Sequence, residues 1–276
     1  MFDREAAVDP SIREALFAQV RLHTGIVMAE RKWTMLHGRL RRRLQELQLS
    51  GYEAYLALLG RSKHEVGCFI DLVTTNETSF FRTPRIWQYL EEHFFPRWHA
   101  AHPGATMQIW SAAASTGEEG YSLAMLANEF RQKHPDFSYR ILATDISQAV
   151  LDIAAAGSYA GRNAKGLQAS RPEMVERYFA PEDDGFSARP ALKAHLTFRP
   201  HNLYQDLTEP TRFDLVLLRN VLIYFDEPGQ EAVVERVRRA MAPESTLIIG
   251  ESESLHRIRS GLTYEQPLIY RNTKTT

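Results

Sequence analysis

The chain has 276 residues, 33 Lys and Arg against 34 Asp and Glu, a formal net charge of −1, 44% hydrophobic and 24% charged residues; this is the make-up of one large or two modest globular domains. The near-neutral balance argues against general nucleic-acid binding, and no apolar run approaches the roughly 20 residues that span a bilayer. The single cysteine, Cys68, excludes an internal disulfide, and the acidic start from Met1 to Glu5 has no apolar core, so no secretory leader and a reducing, cytoplasmic setting are expected.

The first 75 residues read as an all-helical domain. Ser11 to Thr24 places Ile12, Leu16, Val20 and Leu22 at helical spacing, and Gly25 breaks it. Glu30 to Leu49 carries Trp33, Leu36, Leu40, Leu44 and Leu47 on one side and Arg31, Lys32, Arg39, Arg41, Arg42 and Arg43 on the other. Such a face is either solvated surface or a docking surface for an acidic partner, because clustered basic charge steers association. Arg39, Arg42 and Arg43 are the candidate docking residues. Tyr52 to Leu59 and His64 to Val73 complete the domain as two short helices. Residues 76–104 form a linker and a connecting helix: a polar-aromatic-basic stretch from Thr75 to Arg82, Pro84 at a helix start, then Arg85 to Ala101 with aromatics suited to a core.

Residues 105–276 alternate strands with helices, which predicts a mostly parallel sheet covered on both faces. Its first unit is the stretch from Gln108 to Met125. Ile109 and Trp110 suit a buried strand. Ser111 to Gly117 are all small, so the backbone there can approach a ligand closely. Glu118 and Glu119 open a helix, a favourable place for carboxylates. The turn lacks the glycine pattern of a dinucleotide site and the Gly-Lys-Ser/Thr ending of a P-loop. Its acidic helix start repels a pyrophosphate and suits a cationic or zwitterionic ligand such as S-adenosylmethionine (SAM). A second strand, Tyr139 to Thr144, leads to Asp145, which is placed to bind ribose hydroxyls or to cap the helix from Gln148 to Ala156. Gly157 to Gly166 reads as a loop, Arg171 to Tyr178 as a helix, and residues 179–200 as a small antiparallel subdomain outside the main sheet. Phe213 to Leu218 is a central strand ending in Arg219 and Asn220. Pro228 to Met241 is a helix, Thr246 to Gly250 a strand, and Leu262 to Tyr270 a closing hairpin. No cysteine or histidine cluster has metal-site spacing.

Five stretches then occur in a telling order: Asn76 to Arg82, Trp110 to Glu119, Ala143 to Asp145, Asn202-Leu203, and Arg219 to Asp226. Together they resemble the chemotaxis-receptor protein-glutamate O-methyltransferases, the CheR family, over nearly the whole chain. The resemblance implies a Rossmann-like SAM-dependent methyltransferase domain behind a helical N-terminal domain. SAM is the implied donor, S-adenosylhomocysteine the product, and no metal is implied. Asn76, Thr78 and Arg82 are assigned to a wall between the domains, and Ala112 to the cofactor-binding turn. Glu119 is assigned to the donor's amino-acid end and Asp145 to the ribose. Asn202, Leu203, Arg219 and Asn220 complete the pocket. Arg82 and Tyr224 match the positions facing the reacting methyl group. The implied partner is the cytoplasmic helical domain of a chemoreceptor, with the small antiparallel subdomain matching one that in some members grips a receptor C-terminal pentapeptide. The chain departs from the family at Ala113 and Ala114, where Gly and Cys are frequent, and at Gly120, where Pro is. Alanine at 113 is tolerable only if that residue avoids positive φ. Two other readings stay open on sequence: a SAM enzyme for another protein or a small carboxylate, and a SAM-binding scaffold without turnover.

Overall fold

The structure, a computed structural model, describes residues 8–273; the expectation drawn from Met1 to Glu5 lies outside them. Two compact units divide the chain. One runs to Thr75 and includes Tyr224–Gly229, and the other holds Asn76–Ile223 and the residues from Gln230 onward.

In the first unit, α1 (Pro10–Thr24) starts on Asp9, whose carboxylate accepts the Ser11 amide at 2.8 Å, and stops at left-handed Gly25. A 3₁₀ turn (Glu30–Lys32) leads into α2 (Trp33–Glu46), followed by α3 (Tyr52–Leu59) and α4 (Lys63–Val73), the last capped by Ser62. Leu16, Val20, Leu36, Leu40, Leu44, Tyr55 and Phe69 form the core. Burying an apolar side chain of this size contributes about 1.5–3 kcal/mol.

One carboxylate interrupts that core. Glu65 is only 2% exposed. It accepts from Arg43 Nη2 at 2.7 Å, Arg43 Nε at 3.0 Å and the Tyr55 hydroxyl at 2.9 Å. Burial pushes the Glu65 carboxyl up, but the bonds from Arg43 and Tyr55 outweigh it and hold the group below its ordinary value. Its contribution to stability is therefore full above the unfolded value and is lost as pH falls through the lower native value. Glu65→Gln is expected to cost about 3 kcal/mol at neutral pH, the low end for breaking a buried pair, since Arg43 stays partly wet. Thermal unfolding of both proteins from neutral to acid pH checks this, and the gap between them should narrow on acidification. His64 and Cys68 lie one turn apart on α4 with Nδ1 and Sγ 3.9 Å apart. They form a group with Glu65, but that carboxylate already faces a guanidinium.

The basic face of α2 is less free than its sequence suggests. Arg39 Nη1 donates to the carbonyls of Leu72 at 2.6 Å and Thr74 at 3.0 Å, closing the carboxyl end of α4. Arg43 belongs to Glu65. Arg42 is the exposed one, its side chain 84% accessible and paired with Glu46 on the same helix at 3.2 Å. The guanidiniums of Arg39 and Arg43 are thus engaged inside the helical unit, and Arg42 is the exposed one of the three.

The second unit begins with α5 (Pro84–Tyr89), a π turn (Leu90–Phe94) and α6 (Phe95–Ala101). The π turn sits just before Pro96, whose ring nitrogen cannot donate, and the Phe95 amide reaches back to Leu90. The main sheet then forms from β1 (Thr106–Ala112), β2 (Ser138–Asp145), β6 (Leu196–Pro200), β7 (Phe213–Leu218), β8 (Met241–Ile249), β9 (Thr263–Gln266) and β10 (Ile269–Arg271). Their order is β6-β2-β1-β7-β8-β10-β9. The first five run parallel, and β10 pairs antiparallel with β8 and β9. Helices α7 (Glu118–Lys133), α8 (Gln148–Ala156), α11 (Pro190–Lys193) and α12 (Glu227–Ala240) connect the strands. The register sets Ala112 beside Thr144, and Asp145 beside Pro200. The carboxyl ends of β1, β2 and β6 therefore meet along one edge.

Two expectations change here. Residues 179–200 are not one excursion: β3 (Ser158–Ala160), β4 (Phe179–Glu182) and β5 (Gly185–Ala188) form the small sheet in the order β3-β5-β4, while Leu196–Pro200 joins the main sheet parallel to β2. A short β-prone run does not show its partner, and the direction is decided by the crossover through α11. The expected loop after Gly157 instead contains α9 (Gly161–Ser170), ahead of α10 (Pro172–Tyr178). Two glycines weaken α9 as an isolated helix, but it buries Ala164 and Leu167.

Candidate active site

The carboxyl edge of the sheet carries the polar residues singled out by sequence. At the end of β1 the amides of Ala113 and Ala114 both donate to the Thr144 carbonyl, at 2.9 and 2.8 Å. This folds the small-residue turn over the end of β2. Asp145, 8% exposed, accepts the Ser115 amide through Oδ2 at 2.8 Å and the Ser147 amide through Oδ1 at 3.0 Å. Ser147, not Asp145, caps α8 through its side chain. The Asp145 carbonyl accepts the His201 amide at 2.8 Å, so the exit of β6, with Asn202 and Leu203, lies beside it. Asn202 Oδ1 accepts the Tyr204 amide at 2.9 Å, and Leu203 is buried.

Both carboxylates at the start of α7 have partners. Glu118 accepts from the Thr116 hydroxyl and from Asn163 Nδ2 at 2.6 Å each. Glu119 accepts from the Ser111 hydroxyl and from Arg219 Nη1, both at 2.8 Å. Arg219 is 6% exposed; its Nη2 donates to the Arg82 carbonyl at 2.8 Å and its Nε finds no hydrogen-bond partner among the described residues. A buried guanidinium N–H without an acceptor costs desolvation energy unless a ligand supplies one.

The motif from Asn76 to Arg82 is stitched to this edge. The Asn76 carbonyl accepts the Ser115 hydroxyl at 2.9 Å, and the Thr78 carbonyl accepts Asn163 Nδ2 at 3.2 Å. The Phe81 amide donates to the Ser122 hydroxyl at 3.0 Å. Phe80 enters the small sheet, its ring 4.8 Å from Tyr159, 5.9 Å from Phe179 and 6.3 Å from Phe186. The Arg82 carbonyl also accepts the Trp87 indole at 2.9 Å, whereas its guanidinium makes one hydrogen bond among the described residues, to the Glu77 carbonyl at 3.2 Å. Tyr224 belongs to the first unit, where its carbonyl accepts the Val27 amide at 2.9 Å and Lys32 Nζ lies 5.3 Å from its ring centre.

Two contributors escape sequence reasoning. Glu253, 9% exposed, accepts the amides of Gly250 at 2.6 Å, Leu222 at 2.7 Å and Asn220 at 2.9 Å. It fixes the turn after β7 and holds Asn220 at φ 58°. Burial pushes its carboxyl up, against the pull of these amides. A side chain at Gly250 would meet Glu253 Oε2 at 2.7 Å and the Asn220 nitrogen at 2.8 Å; that glycine directly after a strand was the available signal. Asn163 is the other, on a helix that sequence propensity does not favour.

Backbone strain gathers here. Phe81, Thr83, Ala113, Ser115 and Asn220 all have left-handed backbone, as strained positions at functional sites often do. Ala113 stands at φ 95°, so the condition for alanine in place of glycine is not met: the paired bonds to Thr144 impose the conformation and the methyl group is carried at a cost. Ala113→Gly should stabilise the protein by about 1 kcal/mol, strain relief of roughly 1–3 kcal/mol less the entropy of glycine. Chemical denaturation of the two proteins decides it, and a less stable Ala113→Gly refutes stored strain.

The donor set fits SAM. Arg219 Nε–H matches a ligand carboxylate, Glu119 an ammonium, and Asp145 a ribose diol, while the small residues from Ala112 to Ser115 admit a close approach. Nothing in it cradles a phosphate. Residues 76–266 match the family described as CheR methyltransferase, SAM binding domain, and residues 13–74 match its all-alpha domain. The chain is 34% identical to a chemotaxis protein methyltransferase of Escherichia coli, covering 99% of this chain and 94% of that one. It is 36% identical to one from Klebsiella aerogenes, over 91% and 85%. The chain belongs to the CheR family of SAM-dependent chemotaxis methyltransferases.

Proposed function

We propose that the protein methylates glutamate side chains on the cytoplasmic helical domain of a chemoreceptor, giving methyl esters, and that it acts in the cytoplasm. The observation that carries this is Arg82: its backbone is pinned by Trp87 and Arg219, while its guanidinium has, among the described residues, the Glu77 carbonyl as its one hydrogen-bond partner. That is a placed and underused fork for a carboxylate. A glutamate, with an ordinary pKa near 4.3, arrives ionised and needs no general base. SAM, when bound, supplies an electrophilic methyl on a sulfonium. The residues then have to orient one carboxylate oxygen and exclude water from it. Arg82 holds the carboxylate. Tritiated methyl transfer from SAM to receptor cytoplasmic fragments tests the reading. Base-labile label on glutamate is expected, and stable label or none overturns it.

Docking falls to Arg42, the exposed arginine of α2. Arg42→Glu should raise KM for receptor by about threefold to tenfold at low salt and leave SAM affinity alone, because exposed charges act mainly on association. An unchanged KM refutes the assignment. A receptor tail is the second contact we assign, on the small sheet. There β4 is an edge strand, and a groove of about 650 Å³ is lined by Phe179, Pro181, Phe186 and Arg189. An open edge of this kind takes an extended peptide. Deleting the receptor's last five residues should then raise KM, and an unchanged KM refutes the tail contact.

A further inference from the structure

We infer that Arg171 is a second substrate-positioning cation, binding a carboxylate that flanks the target glutamate on the acidic protein substrate. Its guanidinium carbon lies 4.2 Å from the centre of the Phe81 ring. Phe81 directly precedes Arg82, and it is a rigid seat: 7% exposed, left-handed in backbone, with its amide on Ser122 and its ring 5.3 Å from that of Trp87. Arg171 is itself held from below. Its amide donates to the Leu167 carbonyl at 2.8 Å at the end of α9, and its carbonyl accepts the amides of Met174 at 3.1 Å and Val175 at 3.3 Å at the start of α10.

This cation has no counter-charge among the described residues. Its one side-chain hydrogen-bond partner is the Met174 sulfur, 3.9 Å from Nη1. Most other guanidiniums of this unit that stand against the fold have an acid or a carbonyl: Arg219 with Glu119, Arg177 with Glu129, Arg97 with Glu265. Stacking on an aromatic face fixes the plane of a guanidinium and offsets part of its desolvation. It leaves the edge donors for an anion, and a planar fork prefers a carboxylate. The cofactor's own carboxylate is matched by the buried Arg219 Nε, so the anion left for Arg171 is the substrate's.

The inference rests on the proposed receptor-glutamate reading, and the test separates the two. Arg171→Met keeps an apolar cover on Phe81 and removes the charge, and Arg171→Lys keeps the charge. With SAM saturating, Arg171→Met should raise KM for the receptor fragment about tenfold, the size of one charge-assisted pair of roughly 1.4 kcal/mol, with kcat changed far less. Arg171→Lys should recover part of that loss. SAM affinity and thermal stability of Arg171→Met should match the wild type, which a purely structural role would not allow. A wild-type KM in Arg171→Met, or a loss that tracks lowered stability, overturns the inference. If the wild type itself methylates no receptor, the receptor reading fails. Arg171 is then judged by titrating a glutamate-rich helical peptide into the protein loaded with S-adenosylhomocysteine: weaker binding by Arg171→Met sustains the role, and equal binding overturns it.

Discussion

Arg82→Ala is expected to lower kcat by at least about 100-fold, roughly 2.7 kcal/mol of transition-state positioning, while the Kd for SAM stays within about threefold. The separation follows from how Arg82 is built in. Its carbonyl, not its side chain, bonds to Arg219 and Trp87, so truncating the side chain leaves that anchorage intact. Among the described residues the guanidinium has a single hydrogen bond to lose, to the neutral Glu77 carbonyl at 3.2 Å. Arg82→Lys should recover only part of the rate, since an ammonium is a point charge and cannot present a planar fork. Methyl-ester formation at saturating SAM and receptor, beside calorimetric titration of SAM, checks both halves. Turnover near wild type in Arg82→Ala refutes the carboxylate-holding role. A parallel collapse of SAM affinity makes Arg82 a cofactor residue instead.

Arg219→Ala should act on stability and cofactor together. The side chains of the pair are 2% exposed for Arg219 and 12% for Glu119. Removing the guanidinium leaves a carboxylate buried without its counter-charge, which costs about 3–5 kcal/mol. At roughly 2–4 °C per kcal/mol for a chain of this size, Tm should fall by about 10 °C. SAM should bind at least tenfold more weakly, because the partnerless Nε–H is lost with the side chain. Glu119→Gln combined with Arg219→Ala should recover much of the stability and none of the affinity, since it removes the stranded charge without restoring a donor. Thermal unfolding and SAM titration of the three variants decide it. An Arg219→Ala protein with full stability and affinity refutes the keystone role of the pair.

The same contrast shows which parts of the site were legible. Glu119 and Asp145 are readable as candidates because each stands at the end or start of a strongly patterned element at the carboxyl edge of a parallel sheet, whereas Arg219 is singled out through the family resemblance. Glu253 and Asn163 are not readable in that way. Glu253 acts on amides that come from the turn after β7, 31 and 33 residues earlier. Asn163 joins Glu118 to Thr78 across 45 and 85 residues. No local pattern records such distances. On α2, hydrophobic periodicity locates the helix and its basic side, but it cannot tell an arginine that caps a neighbouring helix from one that meets solvent. Arg39 and Arg42 differ by three positions and have opposite fates.

By itself the amino-acid sequence determined the helical first domain, the alternating strands and helices that require a covered parallel sheet, and the small-residue turn with its acidic helix start. Local propensity and periodicity suffice for these. Only the tertiary structure decided that Leu196–Pro200 pairs with β2, because pairing depends on which edge a crossover delivers the strand to. Only it decided that Ala113 carries a left-handed backbone, because two amides converge on the Thr144 carbonyl from a neighbouring strand. Only it decided which arginines are neutralised, because a guanidinium reaches partners that the chain brings close from far away. Backbone preference is a property of neighbours in sequence, whereas hydrogen-bond satisfaction and charge pairing are properties of neighbours in space.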